Sequence, residues 1–461
     1  MAAVAPATPG TRSGTGSAHD ATGEDLRRLG DYPHVVVSWI DDDGFPTSVA
    51  TSLDPGSDAG VVSLVAPAGM PIPDDREVSV VGSHIHPTRG GYDERRYLQL
   101  WGHVRDGARF EPTRAWGWDE AEMPFFEYSE RSVPQSRRYL TALSAEKGRT
   151  IRPRLGLFWL ALRTTRLPFL SATAVPVLLG IAVAASHGAF TWWTALLTLI
   201  GASFAHLAIN VTNDIFDTLS GADDANPTPT QFSGGSRVAI YDLVSVRGLG
   251  LLAGVLYATA AVIGLALVAV TGSMTLLWIG VAGIALGIAY TAPPLKLVYR
   301  GLGEVAVAIG FGPIMLLGAY VVQTQRIDLE PFVLSLVPGI LIGLILFVNE
   351  IPDRRSDAQA GKRTLPTRFS PAAILGIYLA AGLAAFGIIV AGVFAGLLPW
   401  PTLVALAAVP ILFRVHAGLR SNYDSPYALM AVMGQNVNLN LIVGGLLLVA
   451  YAATIVVTRL S

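Results

Sequence analysis

Nine long apolar stretches constrain the fold of this chain more than any other feature of its sequence. They lie at about 167–187, 190–212, 249–271, 274–292, 303–323, 330–349, 372–395, 398–415 and 437–458. A helix needs about 20 apolar residues to cross the hydrocarbon core of a bilayer, and each stretch is close to that length. A helix also satisfies its own backbone hydrogen bonds, which lipid cannot do. We therefore predict an all-α membrane domain of about nine transmembrane helices over residues 165–461.

Charged residues divide the chain into two parts at Thr164. Lys, Arg, Asp and Glu make up 40 of the first 164 residues but only 26 of the following 297. The first proportion is close to the 25% of an ordinary soluble protein. We predict a disordered tail at 1–22, a soluble β-rich domain at 23–133 and a helical, basic linker at 134–164. The absence of cysteine excludes disulfides and thiolate metal sites, and the net charge of -2 gives no reason to expect nucleic-acid binding.

The soluble domain has the sequence pattern of a small barrel. Val35–Ile40 and Thr47–Ser52 flank an Asp-Gly turn, which is typical of a β-hairpin, and further strands are expected at Val61–Ala66, Val78–His86 and Tyr97–Val104. Several short strands with few helices favour a closed sheet. The hairpin, with Phe45-Pro46 after its turn, resembles the split β-barrel of pyridoxamine-phosphate-oxidase-like domains. That resemblance implies FMN as a cofactor of this domain.

Basic residues predict the orientation of the membrane domain. If the N-terminal domain is cytoplasmic and the nine helices alternate, twelve of the fourteen Lys and Arg residues of 165–461 face the cytoplasm. Only Arg326 and Arg459 then lie outside, which is the bias expected of short loops on the cytoplasmic side. Ten of the twelve acidic residues lie on the same side. We therefore predict an integral, multi-pass membrane protein whose soluble domain and functional site are both cytoplasmic.

Two carboxylate motifs lie at the ends of the second and sixth spans. Asn210, Asp214 and Asp217 have spacings that bring them to one face of a helix. Asn349, Asp353 and Asp357 repeat this arrangement at the end of the sixth span. Pro352, inside the second motif, either occupies a first helical turn or kinks the helix. The asparagines are four spans apart, so both motifs return to the same side of the membrane and can face each other.

Opposed carboxylates in a membrane protein indicate a cation site. Oxygen ligands without His or Cys suit Mg²⁺, which commonly joins protein carboxylates to substrate phosphates. Basic residues near the motifs can neutralise a diphosphate: Arg237, Lys296, Lys362 and Arg363. Charged residues in solvated loops are one alternative interpretation. A cation-coupled transporter with a regulatory cytoplasmic domain is another, although such proteins place their acids near the midplane of the bilayer.

The motifs resemble those of the UbiA superfamily of intramembrane prenyltransferases. The resemblance rests on Asn210-x3-Asp214-x2-Asp217 and on Asp353-x3-Asp357-x3-Gly361-Lys362, and it extends over about 165–458. Three further stretches are similar to the dihydroxynaphthoate prenyltransferase branch, which serves menaquinone synthesis. They are Gly234–Val238, Tyr290–Lys296 and Tyr299–Glu304, together with the run Asn349–Asp353 that precedes the second motif.

The resemblance implies a reaction and a set of site residues. A polyprenyl diphosphate would donate its prenyl group to an aromatic acceptor, with Mg²⁺ held by Asn210, Asp214, Asp217, Asp353 and Asp357. Arg237, Lys296, Asn349, Lys362 and Arg363 would bind substrate. Tyr290 would stabilise the allylic cation through its ring, although an aromatic residue at the end of a span is also a common interface anchor. A terpene cyclase or a lipid prenyltransferase, which use the same ionisation, stays open as an alternative.

Overall fold

The computed structural model describes residues 18–460, apart from 33, 56–61, 66, 75, 89–90, 153–155, 224–225, 227–229 and 231. Two compact units divide the chain after Ser136. The first is a β domain and the second is a helical bundle.

Antiparallel strands build the first unit. Their bounds are His19–Asp20 (β1), Val35–Ile40 (β2), Pro46–Pro55 (β3), Val62–Val65 (β4), Glu77–Thr88 (β5), Gly91–Arg105 (β6) and Arg109–Asp119 (β7). The order in the sheet is β1-β7-β4-β3-β2-β5-β6, and a further pairing of β7 with β6 closes it into a barrel. Valine, leucine and phenylalanine side chains, including Val37, Leu100 and Phe110, fill the interior. Nothing in the described residues of this domain supports the expectation of FMN, which stays a prediction.

The Asp-Gly hairpin has the predicted position. β2 pairs with β3, and the Asp41 carboxylate accepts hydrogen bonds from the backbone N–H groups of Asp43 (3.0 Å) and Phe45 (2.8 Å) across the turn. β7 was not among the predicted strands, although it pairs with both β4 and β6. Its sequence carries four charged residues and two proline or glycine residues, which weaken the alternation that identifies a strand.

The described residues begin inside the predicted tail of 1–22. Residues 1–17 lie outside the described residues, but His19–Asp20 pairs with β7. A helix follows at Gly23–Leu29 (α1). Thr22 caps it, since its hydroxyl accepts from the Asp25 N–H while the Asp25 carboxylate accepts from the Thr22 N–H at 2.9 Å. This capping box is the local signal that an assignment of disorder from composition overlooked.

Helices make up the second unit. Their bounds are Phe125–Lys147 (α2), Leu157–Thr165 (α3), Ser171–Ser186 (α4), Trp192–Ser220 (α5), Val246–Thr271 (α6), Met274–Thr291 (α7), Gly303–Ile309 (α8), Met315–Thr324 (α9), Leu329–Gln359 (α10), Leu365–Arg368 (α11), Pro371–Phe394 (α12), Val409–Asn422 (α13) and Leu429–Leu460 (α14). The first of these helices, α2, begins before the point at which the chain divides into the two units. A π-helical turn joins α8 to α9, and a 3-10 helix, Trp400–Ala408, leads into α13. The predicted linker overlaps α2 and α3.

The helical bundle confirms the predicted class of the membrane domain. Within the described residues, eight helices are long and apolar enough to cross a membrane, counting Gly303–Thr324 as one, and α4 is a shorter ninth. The predicted number of about nine therefore fits. α4 is the first predicted span, and it is short because the 3-10 helix Leu167–Leu170 takes its first turn.

Two helices carry the carboxylate motifs. Asn210, Asp214 and Asp217 lie in α5, and Asn349, Asp353 and Asp357 lie in α10. α10 runs unbroken through Pro352 to Gln359, so the second motif is helical over its whole length. Each motif therefore presents its polar side chains at regular helical intervals, as the spacing predicted.

Candidate active site

A cavity of about 540 Å³ opens inside the helical bundle. This volume is within the range of ligand pockets, which are commonly 300–1,000 Å³. Most of its walls are apolar and come from α5, α6, α7, α9 and α10. Its polar residues come from α5, from α10 and from the segments that follow these two helices, together with Arg166 before α4 and Tyr290 of α7. The cavity therefore has a charged end and a long apolar region.

Asp214 is the most deeply buried acid of the first motif, with 2% of its surface exposed. Its carboxylate accepts from the Arg166 guanidinium at 2.6 Å and from the Ser236 backbone N–H at 3.2 Å. Among the described residues that line the cavity, Arg166 is present and Asp214 is not. Asp214 therefore holds Arg166 at the edge of the cavity, and its predicted role as a direct metal ligand stays a prediction.

Lys362 joins the two motifs. Its ammonium lies 2.9 Å from an Asp217 oxygen on α5 and 3.8 Å from an Asp357 oxygen on α10. Burial lowers the pKa of Lys362, but the Asp217 and Asp357 carboxylates outweigh it and raise that pKa well above its ordinary value. The lysine is therefore charged, and it lies between two carboxylates that would otherwise repel each other.

Tyr299 and Asn213 add two further contacts to Asp217. The Tyr299 hydroxyl donates to the same Asp217 oxygen at 3.1 Å and lies 2.7 Å from the Ser220 hydroxyl. Burial and the Asp217 charge raise the pKa of Tyr299 to about 12, so the phenol keeps its proton and remains a donor. The Nδ2 of Asn213 donates to the other Asp217 oxygen at 3.0 Å. Asp217 is thus oriented from three sides.

Asp353 is held by the segment that follows α5. One of its oxygens accepts from the Asn226 side chain at 2.8 Å, and the other accepts from the Gly234 backbone N–H at 2.9 Å. Gly235, the next residue, has a φ of +73°, and a Cβ there would lie 2.2 Å from an Asp223 oxygen. Only glycine fits this position, which explains the pair Gly234-Gly235 in the sequence.

The remaining predicted residues fall into two groups. Asn210, Tyr290 and Asn349 line the cavity, and the Asn210 side chain donates to the Thr165 carbonyl at 3.3 Å. The other three lie off the cavity wall in the described structure: Arg237, Lys296 and Arg363.

Each of those three basic residues makes different contacts. Arg237 donates to the backbone carbonyls of Asp223 (2.8 Å) and Asn226 (3.3 Å) and so ties the segment together. Lys296 lies over the ring of Tyr299 at 5.1 Å. Arg363 is exposed and bonds to the Tyr299 carbonyl only through its backbone N–H. Their predicted contacts with substrate therefore require a ligand that extends beyond the cavity wall.

The acids around the cavity outnumber the bases, which is the condition that favours a divalent cation. Five acidic residues line it against Arg166 and Lys362: Asp217, Asp223, Glu350, Asp353 and Asp357. Burial, together with the charges of Asp217 and Asp214, raises the pKa of Asp223 to about 8, and one Asp223 oxygen is buried without a partner. Within the described residues no three carboxylates are close enough to enclose an ion. The donor set fits Mg²⁺ bound through one or two carboxylates, water and substrate phosphate.

Three contacts were not predicted from the sequence. Arg166 lies 48 residues before Asp214, and Tyr299 lies 82 residues after Asp217. Asn226 reaches Asp353 across 127 residues. No local spacing joins residues so far apart, and the available signal was only that each is a polar residue next to the end of a span.

Comparisons with known proteins agree with this architecture. The model of the UbiA prenyltransferase family matches residues 173–442. The chain is 32% identical over 246 residues to the 1,4-dihydroxy-2-naphthoate octaprenyltransferase of Mycobacterium tuberculosis, covering 53% of this chain and 81% of that protein. It is 28% identical to the 2-carboxy-1,4-naphthoquinone phytyltransferase of Synechocystis, covering 64% and 92%. A solved UbiA homologue from Archaeoglobus fulgidus, bound to GPP and Mg²⁺, has 15% identity and a TM-score of 0.46, covering 64% of this chain and 99% of its own.

Proposed function

The chain belongs to the UbiA prenyltransferase family and is a prenyl-transferring enzyme of the membrane, and from this premise we propose that it transfers a polyprenyl group from its diphosphate to a naphthoate-type aromatic acceptor. The observation that carries this proposal is the form of the cavity. Two carboxylate motifs and a buried lysine lie at its polar end, and the rest of its wall is apolar. A prenyl diphosphate has the same division into an anionic head and a hydrocarbon tail.

The residues of the polar end have separate tasks in this proposal. Asp217 with Asn210 on α5, and Asp353 with Asp357 on α10, would each hold Mg²⁺, which would neutralise the diphosphate leaving group. Lys362 would donate to the diphosphate oxygens, and Arg166 would add a second positive charge at the cavity edge. Tyr299 and Asn213 keep Asp217 oriented. Because these groups are fixed before substrate arrives, they stabilise the charge that develops as the allylic C–O bond breaks.

The apolar wall would receive the prenyl chain. Leucine, isoleucine and valine side chains of α6 and α7 line it: Ile263, Leu265, Val268, Leu276, Leu277 and Ile284. Burial of each methylene contributes about 0.8 kcal/mol, so a long chain gains most of its binding energy here. Tyr290, at the boundary between this wall and the carboxylates, would present its ring to the allylic cation.

The acceptor class follows from the relatives. Both curated relatives are named for naphthoate-type substrates. An electron-rich ring carbon of such an acceptor would attack the allylic carbon and form the new C–C bond. The diphosphate would leave with the electrons of the C–O bond, and the ring carbon would lose its proton or, as CO₂, its carboxylate. A reaction of this kind belongs to menaquinone-type quinone biosynthesis. The bias of basic residues toward one side supports a cytoplasmic active site and a cytoplasmic N-terminal domain.

The test is a transfer assay in membranes that contain the protein. Labelled polyprenyl diphosphates of several lengths are supplied with 1,4-dihydroxy-2-naphthoate, with and without Mg²⁺. We expect a prenylated naphthoate product that forms only with Mg²⁺, and its loss in Asp353→Ala. Release of diphosphate without any acceptor, accompanied by a cyclic hydrocarbon, would instead identify a terpene cyclase. No release of diphosphate with any donor would refute the proposal.

A further inference from the structure

Three buried hydrogen-bond acceptors on α10 face the cavity. They are the side-chain oxygen of Asn349, which has no hydrogen-bond partner among the described residues, and the carboxylate oxygens of Glu350, whose one neighbour able to share a proton there is the Glu304 carboxyl group. Both residues line the cavity, and Glu350 has 6% of its surface exposed. An unpaired polar group buried in this way costs about 1–3 kcal/mol, and more when it is charged. Such a cost is usually met by a ligand that supplies the missing donor.

Glu350 lies deeper in the membrane domain than the acids of its motif. It precedes Asp353 by three residues, so it lies about 4.5 Å further along the helix axis, away from the polar end. The lining residues one turn before it are apolar, Ile345 and Leu346, and Tyr290 of α7 lines the same cavity. Glu350 therefore lies at the boundary between the charged end and the apolar wall.

The charge and polarity of the surroundings of Glu350 limit the kind of group that it can bind. A diphosphate is excluded because two anions would repel each other, and Glu304 on α8, which acts electrostatically on Glu350, adds further negative charge. A prenyl tail has no donor to offer. Even if the two glutamates share one proton, most of their oxygens still act only as acceptors. The group that fits is a neutral donor, such as a hydroxyl, on a flat and largely apolar molecule.

We propose that Glu350 binds the aromatic acceptor by accepting a hydrogen bond from its ring hydroxyl. This inference rests on the proposed function and adds a residue that determines specificity, since it fixes which substituent of the ring points into α10. The Asn349 oxygen, next to it on the cavity wall, accepts from the same molecule. Glu350 thus holds the ring at the depth where the end of the prenyl chain meets the carboxylate motifs.

Steady-state kinetics with purified full-length protein separate acceptor binding from donor binding. The variant is Glu350→Gln, which keeps the size of the side chain and replaces one acceptor oxygen with an amide nitrogen that can only donate. The matched control is Glu330→Gln on the same helix, because Glu330 is bonded to His187 (2.7 Å) and Tyr451 (2.8 Å) near the opposite end of α10. We expect the KM for 1,4-dihydroxy-2-naphthoate to rise about 10- to 100-fold in Glu350→Gln, within the range for leaving a buried polar group without its hydrogen-bond partner. The KM for the prenyl diphosphate and the Mg²⁺ concentration for half-maximal rate should stay unchanged, and Glu330→Gln should behave as wild type.

A second measurement uses methyl ethers of the acceptor, in which each hydroxyl in turn cannot donate. Wild-type protein should prefer the free hydroxyl over one of the two ethers by about tenfold or more, and Glu350→Gln should lose that preference. Glu350→Asp, which keeps the carboxyl group, should retain the preference with a weaker KM. Equal acceptor KM values in Glu350→Gln and Glu330→Gln would overturn the proposal, and a change confined to the Mg²⁺ requirement would make Glu350 a metal ligand instead.

Equilibrium binding distinguishes failure of this inference from failure of the proposed function. The fluorescence of 1,4-dihydroxy-2-naphthoate is titrated against wild-type and Glu350→Gln protein in detergent, without any prenyl donor. Weaker binding to the variant supports the role of Glu350 even if the wild type forms no product. Equal binding to both proteins contradicts it even if transfer itself is observed.

Discussion

At the scale of single residues, Lys362 is the centre of the candidate site. It is the side chain that contacts acids of both motifs, at 2.9 Å and 3.8 Å. The sequence placed it among several basic residues that can bind phosphate. The structure separates it from Arg363, whose side chain is exposed, although the two are adjacent in the chain. Adjacent residues can have such different surroundings because successive side chains leave the backbone in different directions.

Lys362→Gln should reduce the rate of prenyl transfer by about 10²–10³, the usual effect of removing one preorganised group that stabilises developing charge. It also leaves Asp217 and Asp357 without the cation between them, so the Mg²⁺ requirement should change. The measurement is the transfer rate against Mg²⁺ concentration. Arg355→Gln, an exposed position on α10, is the control and should keep the wild-type rate. A Lys362→Gln enzyme of normal rate would contradict this role.

The Arg166–Asp214 ion pair should behave as a unit. Asp214 is almost fully buried, so Arg166→Met should destabilise the folded protein by about 3–5 kcal/mol by leaving its charge unpaired. The double variant with Asp214→Asn should recover much of that loss. Thermal unfolding in detergent of both single variants and the double variant measures the coupling. Strictly additive effects would show that the pair does not act together.

At the scale of elements, the polar residues near the end of the chain stabilise the bundle. On α14, Asn436 accepts from the Tyr378 hydroxyl of α12 at 2.8 Å and donates to the Leu344 carbonyl of α10 at 3.0 Å. One amide thereby joins three helices. α10 is the helix that carries the second motif, so this contact helps to fix the position of Asp353 and Asp357.

Asn436→Leu should lower the stability of the bundle by about 0.5–2 kcal/mol, the range for a hydrogen bond between helices in a membrane. The matched control is Asn438→Leu, because Asn438 lies two residues further along and is exposed. The two thermal unfolding midpoints in the same detergent give the comparison. An equal shift in both variants would mean that the interhelical bonds contribute nothing measurable.

The segment between α5 and α6 supplies contacts to the carboxylates that the regular helices do not supply. It brings Gly234 and Asn226 to Asp353 and Ser236 to Asp214, so one irregular stretch contacts both motifs. Its backbone N–H groups orient the carboxylates, and Arg237 holds its turns together. A sequence pattern can mark this segment through its glycines, but it cannot say which carboxylate each N–H will meet.

At the scale of the whole molecule, the absence of cysteine makes the proposed orientation directly testable. Arg326→Cys places a thiol between α9 and α10, and Arg420→Cys places one near the end of α13. With a cytoplasmic N-terminal domain, an impermeant maleimide should label Arg326→Cys in intact cells. It should label Arg420→Cys only after the membrane is opened, and the reverse pattern would invert the topology.

The sequence alone predicted a β domain before a helical membrane domain, and it predicted which helices carry the carboxylates. These features are local, since they depend on apolar length, charge density and i, i+4 spacing, which neighbouring residues express whatever the rest of the chain does. It also predicted a closed sheet, although β7 and the capped start of α1 were missed because polar residues obscured their patterns.

Which charged groups contact each other depends on the tertiary structure. Arg166 with Asp214, Lys362 with Asp217 and Asn226 with Asp353 are separated by 48 or more residues, and their contacts depend on how α5, α10 and the segment after α5 pack. The same packing places Glu350 on the cavity wall next to the Glu304 carboxyl group. Sequence spacing fixes directions along one helix, whereas pairing between helices depends on the rotation and depth of each, and those are set by the packing of the whole bundle.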